Sequence, residues 1–127
     1  MDKEQYLKNL TPPTGPVDIV LDTDTFNEVD DQFAISYMLK SPELNPVAIN
    51  AAPFYNSKSS GPEDGMEKSY NEIMHILELA ERTDLKDIVY KGSREYLKDE
   101  KTPVISPAAE NICALASKYS PEKPLYI

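Results

Sequence analysis

Apolar and polar positions fall in blocks along the chain, and the blocks read alternately as strands and helices. Val17-Asp18-Ile19-Val20-Leu21 is a short β-branched run that predicts a buried strand. From Asp30 the period changes: Phe33, Ala34, Tyr37 and Met38 fall at the spacing of one buried helix face, and Ser41-Pro42 closes that helix. Residues 46–52, Pro-Val-Ala-Ile-Asn-Ala-Ala, are mainly apolar and suit a second strand covered on both faces. A polar loop over 54–62 leads into a helix over about residues 63–82, with Tyr70, Ile73, Met74, Leu77 and Ala80 on its buried side. Residues 87–90 predict a third strand ending at Lys91-Gly92-Ser93, a further helix covers about 107–118, and 124–127 begin a fourth strand. Strands alternating with helices imply crossover connections, hence an α/β fold with a Rossmann-like open parallel sheet and flanking helices.

Two stretches fall outside that alternation. Residues 1–16 hold a short polar segment and then Thr11-Pro12-Pro13-Thr14-Gly15-Pro16, which prolines keep out of helix and sheet, so they read as an N-terminal extension to a domain over 17–127. At the other end the chain stops in the fourth strand with no helix to cover it. The expectation is a fold truncated after that strand.

Composition narrows the function classes. A chain of 127 residues, 40% of them hydrophobic, is long enough for one domain with a sizeable core. The net charge of −9 and the absence of any Lys/Arg-rich run exclude nucleic acid and anionic membrane surfaces as expected partners. Met1-Asp2-Lys3-Glu4-Gln5 lacks the apolar core of a signal peptide, and no apolar run approaches membrane-spanning length, so a cytoplasmic location is expected. Cys113 is the only cysteine, which rules out an intrachain disulfide and a thiolate metal site; its neighbours predict a small buried helix residue. His75, in mid-helix among Ile73, Met74, Ile76 and Leu77, reads as structural.

The candidate chemistry lies where the first strand ends. Asp22-Thr23-Asp24 follows the apolar run directly, and Glu28, Asp30 and Asp31 precede the helical pattern. Ligands bind at the carboxyl ends of strands in open α/β sheets. Clustered carboxylates repel one another, and a hard divalent cation is the usual remedy. Helix capping accounts for one carboxylate, Asp30, but not for the set. An EF-hand calcium loop starting at Asp22 fails, because Phe26, Asn27 and Phe33 would occupy its fifth, sixth and twelfth positions. The segment 22–25 also resembles the first motif of haloacid-dehalogenase-type phosphatases, which would make Asp22 a nucleophile and Asp24 an acid/base with Mg²⁺. Phe26 stands where that motif carries glycine, and Asp30 and Asp31 are left without a role.

Taken whole, Asp22-Thr23-Asp24 followed by Val29-Asp30-Asp31 at the opening of a helix resembles the N-terminal signature of the nucleoside hydrolases, in a divergent branch with a longer spacer. The likeness continues through Asn56 after the second strand and Tyr90-Lys91-Gly92-Ser93 after the third. It implies a nucleoside-hydrolase-like fold and Ca²⁺-dependent hydrolysis of the N-glycosidic bond of ribonucleosides. By that resemblance Asp24 and Asp31 hold Ca²⁺, Asp24 also serves as general base, Asp30 and Asn56 bind ribose hydroxyls, and Asp22 braces the loop. Phe54 and Tyr55 are placed either to stack on a base or to pack beneath their own loop. Family members are longer and draw further metal ligands and a leaving-group acid from their later portion. The resemblance therefore implies an incomplete site, served by homo-oligomerisation or a complementing C-terminal half. A non-catalytic remnant that binds metal and ribose stays open beside it.

Overall fold

The computed structural model describes residues 2–127, so the Met1 end of the extension lies outside the described residues. Three parallel strands, β1 (Val17–Thr23), β2 (Leu44–Ala51) and β3 (Val89–Lys91), lie in the order β1-β2-β3. The predicted fourth strand is reduced to a single bridge: Tyr126 pairs parallel with Ile19 on the free side of β1, its carbonyl accepting from Val20 N at 2.8 Å. The chain thus moves outward from β1 through β2 to β3 and then returns to the opposite side of β1. That reversal is the topological switch point at which open α/β sheets form their ligand crevice.

Helices cover both faces. After the short α1 (Lys3–Asn9), α2 (Val29–Lys40) and α3 (Pro62–Leu79) pack on one side, burying Ile35, Met38, Met66, Ile73 and Leu77 against Ile49, Ala51 and Val89. On the other side α4 (Pro107–Ala116) lays Leu115 and Ile112 over Val20, Ala48 and Tyr90. In β2, Pro46 lies below the span paired with β3, where a missing N–H is tolerated, and the β1–β2 register shifts beside it, between Ile19 and Val20. Among the described residues no helix is long and apolar enough to cross a membrane.

The structure adds one element to the sequence expectations and corrects several others. The segment before Thr11 contains helix α1, because Asp2 caps it by accepting from Gln5 N at 2.8 Å and the following residues are good helix formers. Helix α3 ends at Leu79 rather than near Arg82: Glu81 adopts φ 56° and Arg82 N closes back onto Leu77 O. Residues 83–88 form a 3-10 turn before a shorter β3. Cys113 is exposed, since α4 turns Ala108, Ile112 and Leu115 toward the sheet and the residue after Ile112 points away.

The largest correction concerns α2. Phe33 is 71% exposed and Tyr37 73%, and Ala34 is exposed too; of the four residues expected inside, Met38 alone is buried. The helix carries two apolar stripes, Val29-Phe33-Tyr37 and Ile35-Met38-Leu39, and the sheet takes the second. Ile35→Ala should therefore cost about 3 kcal/mol, whereas Tyr37→Ser should stay within about 0.5 kcal/mol of wild type. Urea denaturation of the two variants checks the assignment of faces.

Candidate functional site

Strand β1 delivers its last residues to the switch point with alternating side chains. Asp22 is exposed on the α4 side, Thr23 is buried on the α2/α3 side, and the chain then leaves the sheet at Asp24. Beyond it Thr25 is fully buried, and its Oγ1 lies 2.9 Å from Thr23 Oγ1, fixing the start of the loop to the end of the strand. Asn27 N donates to Asp24 O at 2.7 Å, so 24–27 form a tight turn.

That turn aims the carboxylates. Asn27 Nδ2 donates to Asp24 Oδ2 at 2.9 Å, and Asp31, in the first turn of α2, faces the Asp24 carboxyl closely enough to hydrogen-bond with it when one of the two is protonated. Loss of solvent raises the Asp31 pKa to about 6; its bond to Asp24 and the charges of Asp24 and Asp30 push the same way, while the Thr23 hydroxyl opposes them. Asp22 is also pushed up by desolvation, although part of its surface is open, with the amide of Asn50 pulling it down. Asp30 is exposed beside Asp31. It is not the cap of α2: Glu28 holds that position and makes no side-chain capping bond. Capping therefore explains none of these carboxylates.

The β2–α3 loop closes over the turn. Asn56 Nδ2 donates to Asn27 Oδ1, and Lys58 Nζ donates to the Asn27 carbonyl. Asn56 Oδ1 in turn accepts from Lys58 N at 2.9 Å, which shapes the loop tip. Asn27 thus joins Asp24 to Asn56, so the structure brings Asp24, Asp31 and Asn56 into one network, with Asp30 at its rim and Asp22 on the adjoining face of the sheet. Phe54 is buried and stacks on Phe26 with centroids 6.5 Å apart, so it packs beneath its loop, while Tyr55 is exposed. His75 lies away from the network, lining the groove between α2 and α3 with Phe33 and Leu79.

Asn27 was not singled out from sequence. The available signal was an asparagine at a loop tip between two acidic pairs, since asparagine both favours turns and offers a donor and an acceptor at once. Lys58, which reaches back across the loop, carried no local signal.

The oxygen donors suit a hard cation: two carboxylates held against their own repulsion, with the Thr23 hydroxyl at Asp31. Among the described residues no three His, Cys, Asp or Glu side chains form a ready-made metal cluster. The pair accordingly fits part of a calcium shell and not the whole of one.

The raised Asp31 pKa has a definite sign. Between about pH 4 and 6 the native state binds more protons than the unfolded chain, so stability falls as pH rises through that window. A cation held by the pair would take the place of the proton, so any Ca²⁺ affinity should fall as pH drops below about 6, by up to tenfold per unit. Asp31→Asn should raise the melting temperature without Ca²⁺ and abolish any rise on adding it; thermal scans across pH test both. Comparison with protein-family models, with curated proteins and with solved structures finds no match to this chain.

Proposed function

We propose that this protein is a divalent-cation-dependent hydrolase of the N-glycosidic bond of ribonucleosides. The observation that carries the reading is the Asp24–Asp31 pair, set at the carboxyl end of β1 where the sheet order reverses. Asp24 and Asp31 would hold Ca²⁺, which would supply the positive charge that makes an attacking water easier to deprotonate. Asp24 accepts the proton of the attacking water. Asp30 and Asn56 grip ribose hydroxyls and orient the sugar carbon toward that water, and Asp22 braces the strand end. Asn27 supports this division of labour, because its amide sets the spacing between the base and the sugar grip. Exposed Tyr55 offers a surface for the nucleobase.

Association with a second copy or with a complementing C-terminal half belongs to the same proposal. It rests on the uncovered Val29-Phe33-Tyr37 stripe and on the partial ligand set.

The Mg²⁺-dependent phosphatase reading uses Asp22 as nucleophile and gives no role to Asp31 or Asn56. Aryl-phosphate turnover lost in Asp22→Asn would establish that reading and remove ours. Release of ribose from nucleosides by the same preparation, retained at a tenth or more of wild type in Asp22→Asn, is the result expected here. Ca²⁺ and ribose binding without any cleavage would leave the non-catalytic remnant.

A further inference from the structure

Asn50 lies in β2 with its side chain wholly out of solvent, and neither Nδ2 nor Oδ1 closes a hydrogen bond of ordinary geometry. Its register partner across β1 is Asp22. Paired residues of a parallel sheet project from the same face, so the Asn50 amide and the Asp22 carboxyl stand side by side. That face is the one α4 covers, where Val20, Ala48 and Leu115 pack and where Asn111 Nδ2 is likewise buried without a partner. An apolar surround of this kind calls for an apolar side chain. A buried amide left unsatisfied is costly there, whereas leucine has the same branched outline and no polar atoms. Local conflicts of this sort gather at functional sites.

We propose that Asn50 is a positioning residue of the cation site: its amide holds the Asp22 carboxylate at the floor of the β1–α2 junction and, through Asp22, keeps the Asp24 turn in the geometry that binds a divalent cation. The proposal rests on the cation-dependent reading given above. Asn50 has no exposed surface and so touches neither cation nor substrate; it acts only through its neighbour.

The test separates positioning from packing by pairing calcium titration calorimetry with thermal unfolding in chelator, on the full chain and two variants. Asn50→Leu should melt at or above wild type yet bind Ca²⁺ at least tenfold more weakly. Asn50→Ser, which leaves a cavity but keeps a donor, should melt lower than Asn50→Leu and bind Ca²⁺ more tightly than it does. Affinities that follow the melting temperatures, a wild-type affinity in Asn50→Leu, or an Asn50→Leu that melts well below wild type would each overturn the proposal. Wild-type protein that binds no Ca²⁺ overturns the cation reading itself, a result distinct from a binding wild type whose Asn50→Leu variant binds equally well.

Discussion

Gly65→Val should be the most destabilising single substitution in this chain, lowering stability by about 3 kcal/mol or more. A Cβ built at Gly65 would stand 2.0 Å from the Phe54 carbonyl oxygen and 2.8 Å from Phe54 N. Both are backbone atoms, so no side-chain rotation relieves the collision. Either the first turns of α3 must lift from the sheet or the segment after β2 must move. The same segment carries Phe54, which stacks on Phe26, and Asn56, which bonds to Asn27. The substitution is therefore expected to loosen the candidate site together with the fold. Gly61→Ala is the control, because nothing lies within 4 Å of a Cβ there and the backbone is extended at φ 169°; it should change stability by no more than about 0.5 kcal/mol. Equal midpoints for Gly65→Val and wild type in urea would refute the close approach.

Asp24→Ala should have the largest effect on activity, a loss of about 10³-fold or more in ribose release. One carboxylate is assigned both cation binding and proton acceptance, so its removal takes away both. The fold should not suffer in proportion. Asp31 would lose the charge and the hydrogen bond that, after desolvation, raise its pKa, which relieves a native-state repulsion. Asn27 Nδ2 would lose its acceptor but lies at a partly exposed loop where water replaces it. The expected signature is a melting temperature in chelator at or above wild type, combined with loss of the calcium response. A variant that unfolds outright would instead assign Asp24 a structural role in the turn.

Much of the architecture was legible in the chain because α/β order is written in period and punctuation. The β-branched run at 17–21, the apolar stretch at 46–52 and the long periodic helix between them and β3 each have one reading. The faces of α2 were not legible. Two apolar stripes of similar strength wind around that helix, and which one the sheet takes depends on how far the 24–27 turn rotates the helix start. Helix α1 was hidden by the proline-rich loop after it, although Asp2 is an ordinary capping residue. In the site, the resemblance carried by the two acidic pairs, not their spacing alone, singled out Asp24 and Asp31, whose carboxyls lie within reach of each other in the fold. The contribution of Asn27 required knowing that the loop after β2 folds back over the turn after β1, a contact between residues 29 positions apart. Asn50 gave no signal at all in a run that reads as a buried strand, because an amide matters only beside the carboxylate across the sheet.

One assay bears most directly on the central claim: free ribose released from a purine and a pyrimidine ribonucleoside by the purified chain, first with Ca²⁺ and then with chelator, beside Asp24→Ala. Release that Ca²⁺ supports, chelator stops and Asp24→Ala lacks is the expected result. Release indifferent to chelator, or undiminished in Asp24→Ala, would contradict a cation-dependent hydrolase built on the Asp24–Asp31 pair.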